Sequence, residues 1–352
     1  MKDRYIHSAW LIGLLIIWSS LIISCSEQSE PDEQQGSLLQ IYSLTRSTDE
    51  LPVPIGTQIQ LWLIQQDASS TPKGGLVTYA GKDAQNTDIW NSGVYVQGNK
   101  TYYIYGYTPS SLVESSNITA TLTGTTVTGA TLKLNGMSVL SEEDFSIVVG
   151  VKAGEDGNIQ IGEFSYEASP DGNNGISLLV DHLYAGASFK MIINPDYNKL
   201  RTIKLKKMEL VCTNQSMRSK VDATIAFVNG RANPVQSITT TAVSDADQAK
   251  QTLFEDADGV ELKEDEHDES IVNVSKNFLP TFATSLSLVS TYDVYDKKEN
   301  KIRENCQATN KLDVILSGIQ RGQIRPVLLT VNPTYLYMLS EPDLDNPMVN
   351  IN

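Results

Sequence analysis

The chain has 352 residues, with 42 Asp and Glu against 27 Lys and Arg, and a formal net charge of −15. So acidic a chain carries no electrostatic footprint for nucleic acid or for an anionic bilayer face. Its three cysteines and three histidines are too few for a disulfide framework and leave little room for a histidine-based metal site or general base.

Lys2 and Arg4 give a positive start, and residues 9–23 form an apolar run broken only by Gly13, Ser19 and Ser20. The run is shorter than the roughly 20 apolar residues a spanning helix needs, so residues 1–24 read as an export signal. It closes on Leu21-Ile22-Ile23-Ser24-Cys25, which resembles a bacterial lipobox, although Ile23 stands where a small residue is usual. That resemblance implies cleavage before Cys25 and lipid on its thiol, with the lipoprotein maturation machinery as a partner. Residues 26–36 hold Glu27, Glu30, Asp32 and Glu33 among Ser, Gln, Pro and Gly, and read as a flexible, solvated tether. An acidic run just behind a lipidated cysteine is similar to the surface-export signal of Bacteroidetes lipoproteins; a plain spacer is the alternative.

After the tether comes one short apolar run carrying Leu38, Leu39, Ile41, Tyr42 and Leu44, followed by Thr45, Arg46 and Ser47. Alternation places Leu39 and Ile41 on one face and Leu38, Tyr42 and Leu44 on the other. Residues 25–46 are thus a tether followed by a short first strand. The roughly 330 residues after the leader exceed the usual size of one core and predict two domains.

Long helical periodicity is scarce, whereas short alternating runs bounded by Gly, Asn, Asp and Pro recur. Residues 58–64 read as a strand. Residues 94–97 and 100–107 read as a hairpin about Gly98-Asn99, with Tyr103, Tyr105 and Tyr107 on one face and Tyr102 and Ile104 on the other. Strands at 118–134, 145–151 and 159–166 complete an N-terminal domain over 47–168. The turn-rich stretch 169–175 marks a boundary, and a C-terminal domain covers 176–352. It contains strands at 176–181, 185–194, 200–212, 278–295, 311–316 and 326–339, and a helix over 244–254 capped by Ser244. The tail 343–352 is polar enough to trail free. Many short, evenly spaced strands predict an all-β chain of two tandem β-sandwiches.

The chemical signals are weak. The stretch from Gly93 to Thr101 resembles a phosphate loop, but Lys100 is displaced by one residue and a strand follows instead of a helix. Asp256, Asp258 and Gly259 fit no EF-hand register, lacking the third acidic ligand and the distal Glu, so 256–269 reads as a solvated acidic loop with no metal. His182 follows the apolar run 176–180 and reads as a hydrogen-bonded core residue. No motif for a nucleophile–base pair or a cofactor is present, so the chain reads as a non-enzyme without cofactors.

By the order and spacing of its motifs, the chain resembles the fimbrillin family (FimA/Mfa-like pilus subunits of Bacteroidales). The carriers are the lipobox, the short first strand with Thr45-Arg46, and Ile55-Gly56-Thr57-Gln58-Ile59-Gln60-Leu61-Trp62. The Tyr-rich run 102–108 ending at Pro109 and the mid-chain Asp181-His182-Leu183-Tyr184-Ala185-Gly186 complete the set, with Tyr184 replacing the usual small residue. The resemblance implies a lipid-anchored precursor at the outer membrane surface, attached to the membrane only through Cys25, and a fimbrial product after assembly. It implies that a trypsin-like surface protease cuts between Arg46 and Ser47. The first strand (Leu38, Leu39, Ile41, Tyr42, Leu44) then leaves, and a strand from another pilin subunit fills the groove. The donor candidate is the stretch 327–339, with its strand-like run Thr334, Tyr335, Leu336, Tyr337, Met338 and Leu339, or the tail after it, and Pro333 is confined to an edge or bulge. Such a subunit serves as shaft or tip adhesin. The alternative reading is a surface glycan-binding lipoprotein that uses Tyr103, Tyr105 and Tyr107 as an aromatic platform.

Overall fold

The computed structural model describes residues 36–46, 54–66, 73–111, 119–126, 129–152, 165–213, 217–227, 233–334 and 343–352. Residues 1–35 (with Cys25), Ser47 and residues 335–339 lie outside them. Residues Met1–Gly36 and Ser37–Asn352 separate as two units, and every strand named below belongs to the second.

In chain order β1 is Ser37–Leu38, β2 Gln40–Arg46, β3 Gln58–Gln65, β4 Lys73–Lys82, β5 Asp88–Ser92 and β6 Tyr95–Val96. There follow β7 Thr101–Thr108, β8 Thr119–Thr126, β9 Gly129–Ser138, β10 Leu140–Ser141, β11 Ser146–Lys152 and β12 Ser165–Glu167. Next are β13 Gly175–His182, β14 Ala185–Ile193, the one-turn helix α1 Pro195–Asn198, β15 Thr202–Cys212, β16 Lys220–Phe227 and β17 Val235–Ala242. The last are β18 Lys250–Glu261, β19 Asn273–Phe278, a 3₁₀ segment Pro280–Ser285, β20 Leu286–Tyr295, β21 Lys301–Lys311, β22 Ile324–Thr334 and β23 Asp343–Ile351. The chain is all-β, as its alternation predicts.

An eight-stranded sheet runs β2-β13-β11-β7-β3-β4-β5, with β12 beside β7. Strands β1 and β6 pair with each other, a five-stranded sheet runs β10-β19-β14-β22-β23, and two four-stranded sheets run β18-β15-β20-β21 and β17-β16-β9-β8. The turn at 169–175 joins β12 and β13, which lie in the same sheet. Strands β9 and β10, from before that turn, pair with β16 and β19 from after it.

Strand β7 explains the layering. It lies between β3 and β11 with both faces buried, so its interior is aromatic and aliphatic apart from Gly106. Tyr103, Tyr105 and Tyr107 join a large core shared with Leu132, Phe189 and Phe227, and the Tyr105 and Phe227 rings lie 5.0 Å apart. Tyr102 and Ile104 face a smaller core with Leu39, Ile41, Ile59, Leu61, Ile176 and Leu178. A Cβ on Gly106 would stand 2.2 Å from the Gln60 carbonyl oxygen, so only glycine lets β3 and β7 approach this closely.

A bulge in β15 adjusts which of its side chains face inward. In β15 the pairing to β20 skips Lys206, so Ile203 and Leu205 are buried before it and Met208 and Leu210 after it. That skip is why the apolar positions step by three between Leu205 and Met208.

Several sequence expectations are corrected, among them the strand at 311–316, which is turn after Lys311. Tyr95 and Val96 pair with β1 rather than with β7, because Val94 and Val96 are needed against Leu39 in the small core. Asn99 still supplies the positive φ (59°) that turns the chain into β7. Residues 244–254 are not a helix: 244–246 are a turn, and β18 completes a ladder along β15 that an isolated short helix cannot match. The acidic stretch at 256–261 is strand, not loop, with Asp256 Oδ1 accepting from the Asp258 and Gly259 amides at 2.9 and 2.8 Å. The tail does not trail free either. As β23 it pairs with β22, Val349 is buried, and Arg201 donates twice to Asp345 Oδ1.

The mid-chain segment acts as a tie. Arg321 Nη1 donates to Asp181 Oδ1 and to the His182 carbonyl, each at 3.1 Å, while the Val235 amide donates to Asp181 Oδ2 at 3.1 Å. Burial pushes the Asp181 carboxyl up, and the Arg321 guanidinium pulls against that shift.

Buried phenols give the fold a pH signature. Burial raises the pKa of Tyr105, Tyr184 and Tyr197, and pushes Tyr166 and Tyr292 up to about 12. Between pH ~10, where unfolded tyrosines ionise, and ~12, the folded chain holds more protons than the unfolded chain, so stability falls as pH rises through that window. Urea midpoints are therefore expected to be level from pH 7 to 9 and to fall steadily above 10. A flat profile to pH 12 would contradict the burial of these rings.

Candidate functional site

The first ten residues of the second unit form a seam. At Ser37 and Leu38 the chain pairs antiparallel with Val96 and Tyr95, and the Leu39 amide donates to the Val94 carbonyl at 2.8 Å. From Gln40 onward it pairs instead with β13, in parallel, from Gln40 opposite Gly175 to Arg46 opposite Val180. Strand β2 is an edge of the eight-stranded sheet, yet it also approaches β5 at the other end of that sheet. The sheet rolls until its ends meet, and this segment lies in the join.

Leu39 is fully buried and Ile41 nearly so. The register to β13 skips Tyr42, so Leu44 packs on the same small core as Ile41 rather than on the face of Leu38 and Tyr42. This bulge corrects the simple alternation expected for the run. Leu38 and Tyr42 are exposed by 40% and 46%. The Tyr42 ring lies over Gly175, where a Cβ would stand 1.9 Å from it, and its hydroxyl donates to Asn173 Oδ1 at 3.1 Å.

Asn174 is the hub beneath this strand and is fully buried. Its Oδ1 accepts from the Tyr166 hydroxyl at 2.6 Å and the Ser169 amide at 2.7 Å. Its Nδ2 donates to Ser37 Oγ and, at 3.3 Å, to the Ser169 carbonyl, while its own carbonyl accepts from the Gln40 amide at 2.6 Å. Sequence reasoning reads 169–175 as a boundary and misses this role. The usable signal is an Asn-Asn-Gly turn directly ahead of a strand buried on both faces.

Beyond Leu44 the seat continues into a cavity of about 550 Å³ bordered by Gln58, Thr108, Asp144, Ser146 and Val180. His182 Nδ1 meets Asp144 Oδ2 and, at 3.2 Å, Ser146 Oγ, and that hydroxyl donates to Asp144 Oδ2 at 2.8 Å. A nucleophilic relay needs the acid and the hydroxyl on opposite ring nitrogens. Here both crowd Nδ1, and Nε2 is buried without a partner.

The other sequence candidates are dispersed. The three tyrosines of the proposed aromatic platform are buried, at 4%, 0% and 6% exposure for Tyr103, Tyr105 and Tyr107, so they offer no ring face to a sugar. Thr334 ends β22, a strand whose two edges are taken by β14 and β23. Cys212 and Cys306 are not joined in a disulfide. Among the described residues no group of His, Cys, Asp and Glu is placed to hold a metal ion.

No family model matches this chain, and no curated protein matches it. Similar solved structures include a candidate cell adhesion protein from Bacteroides fragilis, at 11% identity and TM-score 0.43, with 90% of this chain and 95% of that one covered. A fimbrial protein from Bacteroides vulgatus is similar at 12% identity and TM-score 0.39, covering 90% and 98%. The fimbrial anchor protein Mfa2 from Porphyromonas gingivalis is similar at 10% identity and TM-score 0.32, covering 90% and 96%.

Burial at the seam separates its two leucines. Leu39→Ala is expected to cost about 2–5 kcal/mol and to speed amide exchange across residues 37–46, whereas Leu38→Ala stays within about 0.5 kcal/mol. Denaturant melts of both variants, with hydrogen exchange, check this; equal losses would contradict the seat described.

Proposed function

We propose that this chain is a subunit, shaft or tip, of a surface pilus, exported as a lipoprotein anchored through Cys25 and activated by a cut between Arg46 and Ser47. The observation that carries the reading is the seat of residues 37–46: a short strand at a sheet edge, apolar toward the core, ending in an arginine. Each large side chain it buries is worth about 1.5–3 kcal/mol, so its loss would forfeit several kcal/mol and bare the ladder groups of β13. A strand from another subunit would recover both by joining the same edge.

The partners in this reading are other pilin subunits, the lipoprotein maturation machinery and a trypsin-like surface protease, and the location is the cell surface. The donor we favour is the run from Thr334, the last residue of β22, through Leu339. Strand β23 itself is held in place by its ladder, by the Arg201–Asp345 pair and by the Tyr292 hydroxyl donating to the Pro347 carbonyl at 3.0 Å. The role is structural and adhesive rather than catalytic.

Exposure of the purified precursor to a trypsin-like protease is expected to yield polymers visible by electron microscopy and sedimentation. Arg46→Ala should remain a monomer under the same treatment. Polymers of the Arg46→Ala chain in equal yield would refute the assigned role of Arg46.

A further inference from the structure

We propose that Asn174 reads the occupant of the seam: it requires a hydrogen-bond-accepting side chain two residues before the first buried apolar residue of whatever strand lies there. The inference rests on the reading that residues 37–46 are exchangeable, and names what the replacement must carry.

The orientation of the Asn174 amide is fixed by its surroundings. A backbone N–H can only donate, so the Ser169 amide at 2.7 Å holds the side-chain oxygen of Asn174, and the Tyr166 hydroxyl at 2.6 Å takes its second lone pair. The Nδ2 group must therefore point the other way. One of its hydrogens goes to the Ser169 carbonyl and the other to Ser37 Oγ. Ser37 accepts, and no rotation of the amide can let it do otherwise without breaking two bonds.

Once residues 37–46 leave, that N–H and the Asn174 carbonyl lose Ser37 and Gln40 together. A replacement strand finds a backbone carbonyl ready for any amide, which is indifferent to sequence. It also finds a buried donor, which is not. Combined with the pockets of Leu39, Ile41 and Leu44 and the skip at Tyr42, the seat specifies an acceptor followed by apolar side chains two, four and seven positions later, running parallel to β13. The occupant is a strand of another subunit with this chemistry. The first three positions of the pattern recur in this chain at Thr334, Leu336 and Met338.

The test uses the full chain after proteolysis, with its first strand released in mild urea and then exchanged against fluorescent peptides of residues 36–46. Peptides with Ser, Thr or Asp at position 37 are expected to bind alike. Ala or Lys there should bind on the order of tenfold to a hundredfold more weakly, because the Asn174 N–H is left unpaired or faces another donor. In Asn174→Asp the carboxylate still accepts from Tyr166 and Ser169 but now demands a donor, so the Asp peptide should fall below the Ser peptide. Equal binding of the Ser, Ala and Lys peptides to the unsubstituted protein would overturn the role of Asn174 while leaving exchange intact. Failure of even the native-sequence peptide to bind would overturn the exchange reading, and this proposal with it. The peptide series on the unsubstituted protein decides the matter even if Asn174→Asp does not fold.

Discussion

A rolled sheet must end somewhere, and its ends carry unpaired amides and carbonyls beside an apolar interior. In this chain both problems meet at one place. Residues 37–46 satisfy β6 with their first two residues and β13 with the remainder, changing partner across the fully buried Leu39. Because the pairing to β13 is parallel, no tight turn can make it, and about 130 residues of chain separate the partners. The segment contributes little to the covalent path of the fold and much to the closure of its small core. That combination lets a strand be integral to packing and still separable in principle.

The turn at 169–175 is the counterpart of that strand. Gly175 lacks a side chain so that the Tyr42 ring can lie over it, and Asn174 spends both ends of its amide on holding the turn to Tyr166, Ser169 and Ser37. The register skips Tyr42 at the same place. Leu44 is delivered to the core as a result. Local turn chemistry, bulge and burial are one arrangement.

The two ends of the chain are held differently. At the C-terminus β23 adds side-chain ties from Arg201, Tyr292 and Asn310 to its ladder with β22. The first strand has the Asn173 and Asn174 contacts and its buried apolar side chains. Between them β7 is shared by both cores, so the tyrosines of the alternative platform reading are the wall that separates one interior from the other.

The all-β class was legible because period-two alternation and turn residues are local properties. So were the two faces of β7, the inward face of Leu39 and Ile41, and an apolar run isolated between a polar tether and an arginine. Partnership was not legible. Nothing local tells Tyr95 and Val96 to pair with residues 37 and 38 rather than across the adjacent Gly98-Asn99 turn, or a polar tail to complete a sheet, or residues 244–254 to forgo a helix for the edge of β15. The bulges at Tyr42 and Lys206 were hidden for the same reason, since a skipped residue is defined only against the neighbouring strand. Sequence determined that a short apolar strand precedes Arg46. Only the tertiary structure decided that it lies in the seam of a rolled sheet, over an asparagine whose amide can face it in one direction, because hydrogen-bond direction and burial are set by residues distant in the chain.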